Sequence, residues 1–460
     1  MLRNIFNTFA NCFKIPELKS RILFTLGLLG IFLLTTFIPI PGINAGALGL
    51  YLQKNTAGTG GIMGMYNTFA GGAMGRCAIA ALGIMPYISA TIVLQLMTAV
   101  VPRLSKLARE EGGRAKIIQY GRYLTVAICL FQGYYFASRW VTPQISFPGF
   151  QGQLVLFDNH FVFIALAILV MTAAAMLLVW LGEQISERGV GNGVSLIITV
   201  GILTRLPYAG RGLVDMFGGA HAQHRLMGLG IMLIALMIFV VGGVIAVTQA
   251  QRKIPVQYAQ RVVGRKMYAG GTSFMPLMVN YSGVMPIIFA QSILMFPGPL
   301  FGYLATHTTV PFLKDKFESL AGALNYGAPA YMIVYALMIL FFSYFWVATQ
   351  FNEIQIADDL KKNGGYIPGV RPGPGTSEYL HKIISRITLA GAIFLTIIAT
   401  IPIFLARQMN VDMYVSQFFG GTSMLITVGV LLDTMRQVES HLLMRHYDGF
   451  LKKGRLRGRF

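Results

Sequence analysis

The sequence predicts an all-α polytopic membrane protein: ten transmembrane helices in two pseudo-symmetric inverted halves, with a re-entrant half-helix beside one span. Three observations predict it. The 460 residues are 55% hydrophobic and only 12% charged, about half the charged share of a soluble globular protein. Uncharged stretches long enough to cross a bilayer as helices recur along the chain. The basic residues also segregate. Of 37 Lys and Arg, 28 fall in the N-terminus, the C-terminal tail and every second loop, against 9 in the alternate loops. Such a split orients the first set, and so both termini, toward the cytoplasm. It supports the count of ten, because a missed span would scramble the alternation.

The elements follow in order. Residues 1–21 are polar and basic, with a candidate surface helix at 5–13 and Pro16 and Glu17 ahead of the first span. Span one covers 22–40, lacks a signal-peptide cleavage pattern, and ends at Pro39, Pro41 and Gly42. An outer loop, 43–77, leads to span two, 78–101, which contains Pro86 and is expected to be kinked or interrupted there. A basic loop over 102–122 runs into span three, 117–137. Span four, 160–181, ends in the turn GEQISERGVGNG at 182–193, and a short span five covers 194–208. Span six is 227–248, followed by a polar, basic loop over 249–274. Span seven, 276–296, holds Asn280, Ser282 and Pro286. Span eight (328–348), a long polar loop to 386, span nine (383–405), span ten (414–432) and a basic tail from Asp433 complete the chain. Two halves of five spans have opposite orientations, which is the arrangement of an inverted repeat. GIMPYI at 83–88 and GVMPII at 283–288, each in the second span of its half, echo one another.

The stretch that fits a ladder of spans least is Asn67–Val101. From Ala78 it is uncharged and long enough to span. The part before is short, semi-apolar and glycine-rich, with Arg76 at the join. Loose backbone cannot face lipid, so such a piece is re-entrant or packed inside protein.

Catalytic signatures are missing: there is no P-loop, dinucleotide fingerprint, HExxH or GxSxG. Cys12, Cys77 and Cys129 are odd in number and far apart, and His221 and His224 have ligand-like spacing without a third partner. No metal, cofactor or enzymatic activity is expected. The middles of the spans carry essentially no acids or bases, which argues against a coupled transporter of a small solute. A purely structural scaffold would need no re-entrant insert. The polar residues at depth, Thr91, Gln95, Asn280, Ser282 and Thr427, are neutral. Each either bonds a neighbouring helix or lines a seam that opens. The loops QRKIPVQYAQRVVGRKM at 251–267 and ADDLKKNGGYIPGVRPGPGT at 357–376 are longer and more charged than helix connections require. They serve orientation and solvation, or dock a large anionic or acidic partner.

Seven motifs, in order along essentially the whole chain, carry a resemblance. They are FIPIPGI (37–43), FAGGA followed by ALGIMPYISATIVLQL, EGGRAKIIQYGRYLT (111–125), WLGEQISERGVGNGVSLII, RKIPVQYAQRVVGRKMY, LKKNGGYIPGVRPG and FFGGTSML. On these residues the chain resembles the SecY/Sec61-alpha family. The resemblance implies a passive protein-conducting channel of the Sec translocon in the bacterial cytoplasmic (inner) membrane. It would move unfolded secretory polypeptides across and release hydrophobic segments sideways into the bilayer, driven by SecA or the ribosome. The implied partners are SecE, SecG, SecA, the ribosome and signal-sequence-bearing polypeptides, with SecDF and YidC as further ones. Membrane lipids and, through the cytoplasmic loops, ribosomal RNA are contacted; no direct role on DNA is implied. The implied organisation is a cytoplasmic N-terminus (1–21), an N-terminal half (22–210), a C-terminal half (211–433) with cytoplasmic loops at 249–275 and 349–383, and a basic tail (434–460).

The resemblance also assigns residues. Ile84, Ile88, Val194, Ile198, Ile288 and Ile426 match a pore ring, with Val194 where isoleucine is usual. A narrow aliphatic ring resists wetting and offers no group to bind an ion. A plug, 61–76, includes Asn67, Thr68, Phe69, Ala70, Gly71 and Gly72, with Gly60, Gly61, Gly71 and Gly72 as flexible joints. A lateral gate lies between spans two and three on one side and seven and eight on the other; Thr91, Gln95, Asn280 and Ser282 fall on it. Arg265, Lys266 and Arg371 match the region that receives SecA or the ribosome, where arginine's planar fork suits carboxylate or phosphate. One departure stands out. The family often reads NPxExAD where this chain has NEIQIAD, so Glu353 replaces proline and Gln355 glutamate. The helix is expected to enter the loop differently, with altered fine contacts to SecA.

Overall fold

The computed structural model describes residues 15–54, 66–110, 112–147, 149–150, 152–207, 209–211, 214, 224–258, 261–263, 266–268, 271–325, 327–409 and 422–453. The expected surface helix at 5–13, the 61–65 part of the re-entrant segment with Gly60 and Gly61, and 414–421 of span ten lie outside them. Among the described residues six helices are long and apolar enough to cross a membrane: Pro16–Thr35, His160–Arg188, Gly230–Gln249, Met285–Thr306, Pro329–Lys362 and Pro374–Ile401. Met85–Val100 with Pro102–Ala108 makes a seventh if the pair, bent by 105°, is one span. The chain is thus a polytopic membrane protein with helical spans. It divides into two compact units, 1–211 with 430–460, and 212–429.

In the first unit α1 is Pro16–Thr35 and α2 Ala45–Lys54. A turn-rich segment then leads to α3 (Met85–Val100) and α4 (Pro102–Arg109). There follow α5 (Gly113–Val141), the single turn α6 (Pro143–Ser146), α7 (His160–Arg188) and α8 (Gly193–Leu203). Helix α5 packs on α3 and α7, and α7 also packs on α1 and α8. A Cβ on Gly133 would lie 3.5 Å from the Cα of Ile168, so α5 and α7 meet at a small residue, the usual close approach of helices in a bilayer. Trp140, Phe163, Met171 and Leu178 are buried there.

Several expected boundaries move. Span two does not begin as a helix at 78: Ala78 bridges Pro39, residues 79–84 are turns, and α3 starts at Met85 with Pro86 in its first turn. Proline has no N–H to lose there and its φ is preset for helix, so it opens the helix instead of kinking it. Pro16 and Pro102 open α1 and α4 in the same way, so Pro16 and Glu17 lie inside the first helix, not ahead of it. The basic 102–122 stretch is helix α4 and the start of α5 rather than a loop. Helix α7 continues to Arg188, so the expected turn at 182–193 shrinks to 189–192. That turn is pinned by Thr25 Oγ1, which accepts from Val190 N at 3.1 Å, and by Gln437, whose Oε1 accepts from Gly191 N at 3.0 Å.

In the second unit α9 is His224–Gln249, followed by strands β1 (Gln251–Tyr258), β2 (Arg261–Val263), β3 (Lys266–Tyr268) and β4 (Thr272–Met278). Then come α10 (Met285–Leu294), α11 (Pro297–His307), α12 (Pro311–Ala323), α13 (Pro329–Gln350) and α14 (Glu353–Lys362). Strand β5 (Gly365–Tyr366), α15 (Pro374–Met409) and α16 (Thr422–Lys453) finish the described chain, α16 belonging to this unit up to Gly429.

The expected polar loop at 249–274 is a folded piece. Strand β1 runs antiparallel to β4, with Ile254 opposite Met275, and to β5, with Gln257 opposite Tyr366. Ile254 and Val256 alternate inward between exposed neighbours, the period-two pattern of a half-buried strand. They pack with Leu277, Phe351, Ile367 and Leu380 into a local core with α13 and α15. Span seven therefore starts at Met285 instead of 276, because 276–278 pair with β1. Helix α15 starts at Pro374, inside the expected 348–386 loop, and the expected tail from Asp433 continues as helix to Lys453.

Candidate functional site

The re-entrant segment is packed inside the first unit. Residues 66–69 form a helical turn and 70–84 a run of turns, broken at Ala78 by a bridge to Pro39. Asn67 and Thr68 are buried, Ala70, Ala73 and Met74 wholly so. Asn67 braces the piece internally: its Oδ1 accepts from Gly75 N and its carbonyl from Gly72 N, both at 2.8 Å. At its far end Ile40 N donates to the Cys77 carbonyl at 3.0 Å, and Ile79 N to that of Ile38 at 2.9 Å. The Arg76 guanidinium sits 4.2 Å over the Phe37 ring, a cation–π contact. Tyr66 meets Phe136 of α5 edge-on at 5.0 Å.

The contact with α8 is made by backbone. A Cβ on Gly201 would lie 2.9 Å from the Phe69 carbonyl oxygen, and one on Gly71 would lie 3.3 Å from the Gly201 Cα. Gly71 and Gly72 have φ of +64° and +87°, values that L side chains rarely adopt. Both glycines are thus required by the packed conformation itself.

Four ring candidates lie in this unit. Ile84 caps α3 and Ile88 is in its first turn; both are buried. Val194 is half-buried in the first turn of α8, and Ile198 is buried four residues on. Thr91 donates to the Ile88 carbonyl at 2.8 Å, so its hydroxyl is spent within α3; Gln95 is half-buried one turn later. In the second unit Ile288 and Ile426 are buried on α10 and α16. These helices touch: Gln291 Nε2 donates to Thr422 Oγ1 at 3.2 Å, and a Cβ on Gly429 would lie 2.6 Å from Val284 Cγ1. Asn280 and Ser282 sit in the turn before α10, not in a span. Ser282 donates to Asn280 Oδ1 at 3.1 Å, and Asn280 Nδ2 donates to the Gly283 carbonyl at 3.1 Å.

The helix starts at 83–88 and 283–288 share one local geometry. Gly83 has φ +56° and Gly283 +60°; Ile84 and Val284 are right-handed caps; Pro86 and Pro286 take the first turn. The echo read in sequence is an echo in backbone.

Arg371 lies exposed in the turn before α15. Its carbonyl accepts from Thr376 Oγ1 at 3.0 Å, while Ile367 and Val370 hold the turn to the local core. Lys266 lies on β3 opposite Val263, and Arg265 is outside the described residues. Glu353 opens α14 after Asn352, whose Oδ1 accepts from Gln355 N at 3.2 Å. Its carboxylate meets His381 Nδ1 of α15 at 3.0 Å. Where the family often has proline, this chain ties α14 to α15.

Sequence reasoning missed Thr204 and Arg205. Thr204 Oγ1 donates toward the Gly71 carbonyl at 3.2 Å, and Arg205 Nη2 donates to that of Asn67 at 3.3 Å. Gly201, Thr204 and Arg205 stand at spacings of three and four, one helical face, and a lone charge closing an apolar segment was the available signal. Also missed was Arg122, which grips Glu183 in two hydrogen bonds of 3.2 and 2.7 Å and joins α5 to α7. Among the described residues no three His, Cys, Asp or Glu come together as a metal site.

The SecY family model matches residues 78–435. Protein translocase subunit SecY of Chlamydia trachomatis is 41% identical, over 98% of this chain and 99% of the relative. A solved structure of a protein conducting channel shares the fold at a TM-score of 0.59 and 18% identity, covering 91% of each chain. So does a structure on the plug domain of the SecY protein and the closed state of the translocation channel, at 0.55, 17% identity and 91% of each chain.

Proposed function

This chain belongs to the SecY family, and we propose that it is the passive protein-conducting channel of a Sec translocon. Unfolded secretory polypeptides pass through it, and hydrophobic segments leave it sideways into the lipid. It sits in a bacterial inner membrane with both termini cytoplasmic. Its ten spans run in two inverted halves: 1–21 precedes them, 22–210 and 211–433 are the halves, and 434–460 is the tail. SecA or a ribosome supplies the work; SecE and SecG complete the channel.

The observation that carries this reading is the buried segment at 66–84. It is too short and irregular to span, yet it fills the interior of its unit against α8 and runs into α3 at Ile84. A seal that must leave requires such a piece. The plug is 61–76, and Ile84, Ile88, Val194, Ile198, Ile288 and Ile426 are the pore ring, whose apolar rim denies ions a wet path. Thr91, Gln95, Asn280 and Ser282 border the lateral opening. Arg265, Lys266 and Arg371 receive the motor.

The test is transport. The chain, purified with SecE and SecG into liposomes, should carry a reporter preprotein to a protease-protected state when SecA and ATP are added. Vesicles that stay empty of preprotein at normal levels of assembled complex would sink the reading.

A further inference from the structure

Resting on the plug reading above, we propose that Gly201, Thr204 and Arg205, at the C-terminal end of α8, are the latch that sets how often the plug leaves. Three contacts make it. Gly201 lets the Phe69 carbonyl and the Gly71 backbone lie directly on α8. Thr204 Oγ1 reaches the Gly71 carbonyl at 3.2 Å, and Arg205 Nη2 the Asn67 carbonyl at 3.3 Å. The Arg205 guanidinium also lies across Gly72: a Cβ there would stand 3.1 Å from Nη2.

The latch opens without orphaning a buried polar group, the main cost of breaking polar contacts inside protein. Thr204 has one hydroxyl proton, and the Gly201 carbonyl, at 2.7 Å, accepts it when Gly71 departs. The Asn67 carbonyl keeps its 2.8 Å bond from Gly72 N, which travels with the plug. The charged bond from Arg205 Nη2 to the Asn67 carbonyl is lost when the plug departs, and Arg205, partly exposed as a residue, gains water on the side the plug vacates. The packing is therefore close in space and weak in polar bonds, as a reversible seal requires. Arg205 carries the largest share.

The test compares the wild-type complex with Arg205→Ala, Arg205→Lys, Gly201→Ala and a deletion of 66–72, at equal yield of complex in liposomes. Two readouts are taken: ion leak, and the rate at which an impermeant thiol reagent labels an Ala70→Cys variant above the background of the native cysteines. Arg205→Ala should raise leak and labelling about tenfold, the loss of one hydrogen bond to a charged group. Arg205→Lys should raise them less. Gly201→Ala should raise both by pushing Phe69 outward. If the deletion raises leak but the Arg205 and Gly201 variants match wild type, the latch is overturned and the plug stands. If the deletion itself leaves leak unchanged, the plug reading fails and the latch with it.

Discussion

Arg371 is an exposed charge on a fixed backbone. Its backbone is fixed by Thr376 and by the packing of Ile367 and Val370, while its side chain faces water. Reversing it should change docking and leave the fold alone. Arg371→Glu is expected to cut SecA-driven export about tenfold, a typical penalty for a like charge at an interface, with complex assembly unchanged; unchanged export would remove it from the docking surface. Gly429 has the opposite character. A Cβ there would stand 2.6 Å from Val284, so Gly429→Ala should destabilise the second unit by about 1–3 kcal/mol, the usual cost of overpacking, read as a lower unfolding temperature. Arg371 was legible in its motif. Gly429 was not, because a glycine's packing partner lies far off in sequence. The Glu353–His381 pair was half legible: the departure from the family pattern was visible, its partner 28 residues away was not.

At the scale of elements, apolar stretches were easy to find and their ends were not. Pro86, read as a kink or an interruption, proved to be a helix start, since the cost of proline depends on whether its N–H would have been used. Two glycines with positive φ, Gly83 and Gly283, make the same lead-in twice. That lead-in places Ile84, Ile88 and Ile288 at the first turns of α3 and α10. Changing Ile84, Ile198 and Ile426 together to serine should raise the single-channel conductance of resting complexes several-fold, because a hydrophobic constriction conducts once it wets. Conductance at the wild-type baseline would move the ring elsewhere. The strands β1 and β4 were missed although Ile254 and Val256 alternate in a four-residue window; the dense charge around them drew the reading to a loop.

For the whole molecule the charge split makes the sharpest prediction. Lys106 belongs to the basic set and Lys314 to the sparse one, and both are exposed. Single cysteines at these positions should react with an impermeant reagent from opposite sides: Lys106→Cys in inside-out vesicles, Lys314→Cys in right-side-out ones. Labelling from the same side would break the ten-span count.

The sequence by itself determined the class, the recurrence of apolar helical stretches, the charge bias and the family, since each is written in composition, in period or in long motifs that survive without coordinates. Tertiary structure decided where the anomalous stretch at 67–101 is packed. Gly71, at a φ of +64°, lies against the backbone of Gly201 on α8, an approach no local pattern announces. The polar ties of the stretch come from Thr204 and Arg205, more than 130 residues away. A chain records its local preferences residue by residue, but which distant backbone will lie against a glycine is settled only when the helices pack.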